Sequence, residues 1–231
     1  MNKPELYFIP GTMCDPLIWS KIWPELSSQF ELIHLPIPDE DNIDDLLSSL
    51  SASLPQEQVN LIGFSMGGYL ATCLAELAPS RFAQVLVLSN SPCALPEAEM
   101  TQRKQTINWL ERFQYRGITK QKALSMLAQS PSDSDELLSI IAKMEQNLGY
   151  DTLLTQLKAT SYRSDKSTFL ATNKTKFGFC FGDQDKLVNQ PWLHSLAKQH
   201  GFDAIEIPNC GHMLPLEQPE SLLAVIQNRF T

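Results

Sequence analysis

Gly63-Phe64-Ser65-Met66-Gly67-Gly68 joins a run of β-formers, VNLIGF, to a helical pattern over Met66–Leu77. A serine at the apex of so sharp a strand-to-helix turn has a strained backbone. Side chains two positions away on either side would collide, which accounts for the flanking glycines. The turn lifts the hydroxyl clear of the strand and leaves the first N–H groups of the helix, that of Met66 foremost, unpaired beside it. Such a pairing suits a nucleophile with an adjacent site for a developing oxyanion. A serine hydroxyl is inert without a base, and the chain has four histidines to supply one. His34 lies within a strand-like run, and His194 and His200 fall on a surface helix, so each reads as structural. His212, in Pro208-Asn209-Cys210-Gly211-His212-Met213, follows the last strand-like run, where the sites of parallel sheets collect. An acid to orient its imidazole is available after FGFCF, in Gly182-Asp183-Gln184-Asp185. The residues alone leave Asp183 and Asp185 both open, and whichever is unused can cap the helix beginning near Pro191.

These groups must be held by a scaffold, and the pattern predicts one. ELYFI (5–9), ELIHL (31–35), VNLIGF (59–64), QVLVLS (84–89), FGFCF (177–181) and AIEIP (204–208) have strand length and mostly apolar character. Strands covered on both faces look like this. Between them, Ile18–Leu26, Met66–Leu77, Trp192–His200 and Glu220–Arg229 carry apolar residues three and four apart. Strands alternating with helices predict an α/β fold with a mostly parallel sheet of about six strands. Residues 92–170 break the rhythm: Ile107, Trp109, Leu110 and Phe113, then Leu124 and Leu127, then Leu137, Leu138, Ile141 and Met144, then Leu153, Leu154 and Leu157 recur at helical spacing. Three or four helices inserted there exceed an ordinary connection and form either a cap or a small subdomain. Pro92 and Pro96 mark the entry to the block, and SYRSDKST (161–168) and TNKTK (172–176) its exit. The division is therefore 1–91 and 171–231 for the core, 92–170 for the helical block.

Ser65, then the acid, then His212 is the chain order of the alpha/beta-hydrolase fold. Four stretches in order, IPGTMCDPLIW (9–19), GFSMGG (63–68), GDQDKLV (182–188) and NCGHMLPLEQPE (209–220), make the whole chain resemble a cap-bearing, carboxylesterase-like member of that family. The resemblance implies Ser65 as nucleophile, Asp185 as the acid of a G-x-x-D segment, and His212 as the base of a G-H-x-x-x-x-E-x-P segment. It also implies that the backbone N–H of Thr12, with that of Met66, forms the oxyanion hole. Pro10-Gly11 stands here where the family usually has His-Gly, a departure a backbone donor tolerates. The 92–170 block falls where the family inserts its cap. The implied activity is hydrolysis of a small carboxylic ester or thioester through an acyl-enzyme, with neither cofactor nor metal. An alternative within the resemblance uses the same triad to break a carbon–carbon bond or eliminate a carboxylate, as in meta-cleavage-product hydrolases and the menaquinone-pathway synthase. A minor alternative is a ligand-binding scaffold without catalysis.

Composition narrows the partners. The 231 residues are 43% hydrophobic and carry 26 acidic against 18 basic side chains, a net charge of −8. Nucleic acid is not an expected partner, because a phosphate backbone demands a basic footprint; a small molecule is. Val59 to Ala75 has no charge, but its glycines fit a buried strand–turn–helix better than a membrane span. Cysteines 14, 73, 93, 180 and 210 form no C-x-x-C pair, and with an amino terminus unlike a signal peptide they point to the cytoplasm. Cys14 and Cys210 read as small buried hydrophobes, and Trp19, Trp23 and Leu26 as packing a helix on the sheet. Glu217, with Pro215 and Pro219, reads as shaping the start of the last helix. Trp109, Phe113, Met126 and Met144 read as core of the helical block rather than pocket lining. Arg103, Lys104, Arg112 and Arg116 read as a solvated face by default and as a carboxylate-recognising pair otherwise.

Overall fold

Alternating side chains along each strand divide the interior into two apolar layers. In the computed structural model, which describes residues 3–129, 134–173 and 176–231, Leu6 and Phe8 face one layer while Tyr7 and Ile9 face the other. Val85 and Val87 oppose Leu86 and Leu88 in the same way. Period-two side chains with both faces buried require helices on both sides of the sheet. Met1, Asn2, residues 130–133 of the helical block, and Lys174 and Thr175 of its polar exit lie outside the described residues.

The sheet is β1 (Glu5–Ile9), β2 (Glu31–His34), β3 (Val59–Phe64), β4 (Phe82–Leu88), β5 (Phe177–Gly182) and β6 (Asp203–Ile207). Its order is β2-β1-β3-β4-β5-β6 and every pairing is parallel. The six-stranded parallel sheet read from the sequence is thus the one observed. All strands therefore deliver their carboxyl ends to the same edge, and the loops that follow them meet there.

One layer is closed by α2 (Ile43–Ala52), α3 (Met66–Leu77), α7 (Ser167–Thr172) and α8 (Gln190–His200). The opposite layer is closed by α1 (Trp23–Leu26), α9 (Leu214–Glu217) and α10 (Pro219–Phe230). The helix expected over Ile18–Leu26 is split into a 3-10 turn, Pro16–Trp19, and the short α1, because Pro24 lies in its midst and removes a backbone donor. Trp19 and Leu26 are fully buried on the sheet as expected. Helix α2 escaped the sequence reading; Asn42 caps it by accepting from Asp45 N at 2.9 Å, and Leu46, Leu47 and Leu50 form its buried face.

Between β4 and β5 run α4 (Glu97–Leu110), α5 (Lys120–Met126) and α6 (Ser134–Thr160), the last interrupted at Gly149, where φ is +80°. Leu137, Ile141 and Met144 are buried, as read. Trp109 and Phe113 are not: 46% and 57% exposed, they pack against each other with ring centroids 5.7 Å apart and planes tilted by 30°. Only Leu110 of α4 is buried, since the rest of that helix is too polar to sustain a wide apolar stripe.

Candidate active site

Strain collects at the strand ends. Among the described residues, the non-glycine ones with positive φ are Met13, Ser65, Ser89 and Asn209, which follow β1, β3, β4 and β6. Ser65 has φ 51° and ψ −119° at the junction of β3 and α3, the conformation that its flanking glycines foretold. Gly67 permits the approach: a Cβ there would lie 2.3 Å from Ile9 O and 2.4 Å from Pro10 O. Its absence lets the start of α3 dock against the end of β1, bringing the 10–15 loop beside the serine.

Ser65 Oγ lies 2.9 Å from His212 Nε2, and His212 Nδ1 lies 2.8 Å from Asp185 Oδ2. Three residues from three strand-end loops, separated by up to 147 positions, are thus in line. A carboxylate only accepts, so Nδ1 carries the proton and Nε2 presents its lone pair to the serine hydroxyl. Asp185 Oδ1 accepts from Leu187 N at 2.9 Å and Val188 N at 3.3 Å, leaving Oδ2 for the ring. The Asp185 side chain is fully buried, and the Phe64 ring packs at 5.5 Å against the imidazole. Asp183 takes a different part: it accepts the Cys210 N–H at 3.1 Å and binds the histidine loop to β5. Neither aspartate caps α8; Asn189 does, accepting from Trp192 N.

Thr12 sits partly exposed in the turn after β1, and its hydroxyl donates to Met66 Sδ at 3.5 Å. The two residues singled out for an oxyanion hole are therefore neighbours, and neither N–H donates to a turn or loop carbonyl among the described residues. The Met66 N–H is the first of α3 and has no carbonyl one turn back.

The helical block reaches this edge at places with no sequence signal. Gln156 of α6 accepts the Met13 N–H at 2.9 Å, holding the loop that carries Thr12. Met126 O accepts the His212 N–H at 2.7 Å. Arg163, just past α6, lies 4.9 Å over the ring of Tyr69, one helical turn on from Ser65, and donates through Nε to Thr160 O. Burial, then the neighbouring positive charge of Arg103, pushes its guanidinium down to about 10. Arg103 pairs with Glu99 at 3.1 Å, yet its Nη1 is buried without a partner. Of the other basic residues flagged in sequence, Lys104, Arg112 and Arg116 are exposed. Cys14 and Cys210 are buried, as read; burial pushes the Cys14 thiol up to about 12 and Cys210 up as well, so both stay protonated near neutrality.

Comparison with known proteins agrees with this architecture. A family model for the alpha/beta hydrolase fold matches residues 36–219. The 2-succinyl-6-hydroxy-2,4-cyclohexadiene-1-carboxylate synthase of Escherichia coli O1:K1 / APEC is 25% identical, over 96% of this chain and 91% of that one. The pimeloyl-[acyl-carrier protein] methyl ester esterase of Nitrosomonas europaea is 26% identical over 42% of each chain. Among solved structures, a thermophilic esterase from Thermogutta terrifontis superposes with a TM-score of 0.85 at 19% identity, covering 99% of this chain and 89% of that one. The strand order, the serine turn and the matched family model lead to one conclusion: this chain belongs to the alpha/beta-hydrolase family.

Proposed function

We propose that the protein is a serine hydrolase that cleaves a small carboxylic ester or thioester through an acyl-enzyme. The observation that carries this reading is the unbroken line from Ser65 Oγ through both His212 nitrogens to Asp185 Oδ2, at 2.9 and 2.8 Å. His212 Nε2 takes the hydroxyl proton as Oγ bonds to the acyl carbon, and Asp185 holds the ring and balances its new charge. The Thr12 and Met66 N–H groups receive the oxyanion. Collapse breaks the bond to the leaving oxygen or sulfur, which takes the proton from His212. Water then repeats the sequence on the acyl-enzyme: His212 accepts its proton as the water oxygen bonds to the acyl carbon, and as the Oγ–acyl bond breaks His212 returns the proton to Oγ, releasing the carboxylic acid. No step calls on a metal or cofactor. The helical block of residues 92–170 serves as the cap that selects the acyl group, and the free, buried cysteines fit the cytoplasm.

A panel of chromogenic acyl esters of increasing chain length tests the reading. Wild type should turn over at least one, and Ser65→Ala, equally folded, none above background; retained hydrolysis in a clean Ser65→Ala preparation overturns it.

One observation favours a second reading, carbon–carbon cleavage or elimination on a carboxylate-bearing substrate. Arg103 is ion-paired with Glu99 and keeps a buried N–H without a partner, and its positive charge is felt by the guanidinium of Arg163. Arg163, over the Tyr69 ring one turn of α3 on from the nucleophile, with Arg103 and its spare N–H close enough to lower its pKa, suits an incoming carboxylate. Wild type that takes up a fluorophosphonate on Ser65 yet hydrolyses no ester of the panel shifts the assignment to this reading.

A further inference from the structure

Glu217 bonds to none of the three side chains of the site, yet it grips the base's backbone on both sides. Its Oε2 accepts from Gly211 N at 3.1 Å and its Oε1 from Met213 N at 2.8 Å. Oε2 also accepts from Ala128 N at 2.7 Å, across from the end of α5. The N–H between, that of His212 itself, donates to Met126 O at 2.7 Å. Three consecutive N–H groups of the histidine loop are thus tied to the 126–128 segment, two through the carboxylate and one directly. The segments touch so closely that a Cβ on Gly211 would lie 2.5 Å from Ala128 N and 2.6 Å from Met126 O.

Only a carboxylate fits this role. It offers acceptor sites on both oxygens, whereas an amide would turn its own NH₂ toward one of the three donors. Burial pushes Glu217 above the usual carboxylate range even against the pull of three N–H bonds.

We propose that Glu217 is a positioning residue for the base: it locks the 211–213 backbone to the 126–128 segment of the helical block and so fixes the distance from His212 Nε2 to Ser65 Oγ. This rests on the reading of Ser65 and His212 as the catalytic pair. At this edge the block is a fixed jaw rather than a free lid, because displacing α5 would carry the base with it.

The test compares wild type, Glu217→Gln and Glu217→Ala by fluorophosphonate labelling rate at Ser65, by kcat and KM on the best ester of the panel, and by circular dichroism below the melting temperature. Since a displacement of about 1 Å costs on the order of 10²-fold in rate, Glu217→Ala should lose about that factor in labelling rate and kcat with KM nearly unchanged. Glu217→Gln keeps the size and one acceptor oxygen, so it should fold even if the alanine variant does not, and fall between. Folded variants that label and turn over within about twofold of wild type overturn the proposal, even if they melt lower. If wild type itself is not labelled, the catalytic reading fails and this inference falls with it; labelled wild type with unaffected variants sinks this inference alone.

Discussion

The sheet and the helices inserted after β4 are built from different material. The sheet buries Phe8, Phe64, Phe177, Phe179 and Phe181 between its helical layers. In the inserted block, α6 alone buries Glu145, Gln156 and Thr160. Each of these polar groups holds a piece of backbone or a neighbouring side chain: Glu145 takes Tyr115 OH at 2.7 Å and the Ile118 N–H, Gln156 takes Met13 N, and the Thr160 hydroxyl lies 3.6 Å from Met66 Sδ. Apolar area has no direction, whereas a hydrogen bond does. The sheet therefore supplies stability and brings the strand ends together, while the block fixes the loops at those ends.

That contrast can be broken at several points. The largest effect belongs to the strand ends: Ser65→Ala should reduce kcat/KM by about 10⁴–10⁶-fold without lowering the melting temperature, read from progress curves and calorimetry on one preparation. Asp185→Asn should cost about 10⁴-fold, because an amide leaves the imidazole in the wrong tautomer for accepting the Ser65 proton. Phe179→Ala, in the sheet, should cost about 3–5 kcal/mol in urea unfolding. Arg163→Gln, in the block, should divide kcat/KM for carboxylate-bearing substrates by about 10–100 and leave neutral esters nearly unchanged, since a charge-assisted hydrogen bond contributes about 1.5–3 kcal/mol. The smallest effect is expected for Trp109→Ala, within about 0.5 kcal/mol, because the side chain is about half exposed and its ring partner, Phe113, is itself exposed. A Trp109 variant as damaging as Phe179→Ala would erase the distinction between the two regions.

The same contrast explains what was legible in the sequence. Strands buried on both faces give apolar runs, and a serine turn with positive φ demands its glycines, so the sheet and the positions of Ser65 and His212 could be read directly. The choice of Asp185 over Asp183 could not be made from the residues alone, because both follow β5 within three positions and each has a buried partner. Helix α2 was readable in principle from Asn42 and the leucines after it, but Asp44, Asp45, Ser48 and Ser49 dilute its apolar pattern. Arg163, Gln156 and the 126–128 segment had no local signal: their partners Tyr69, Met13 and His212 lie far away in the chain, and only folding brings them together. Periodicity also misjudged Trp109 and Phe113, because spacing marks a common face without saying whether anything covers it.

Whether Ser65 is a nucleophile activated by His212 is decided by intact-protein mass spectrometry after treatment with a fluorophosphonate. One adduct per chain is expected, mapped to the peptide containing Ser65, and almost none in Ser65→Ala or His212→Ala. An adduct at another residue, or undiminished labelling of Ser65→Ala, overturns the assignment of Ser65.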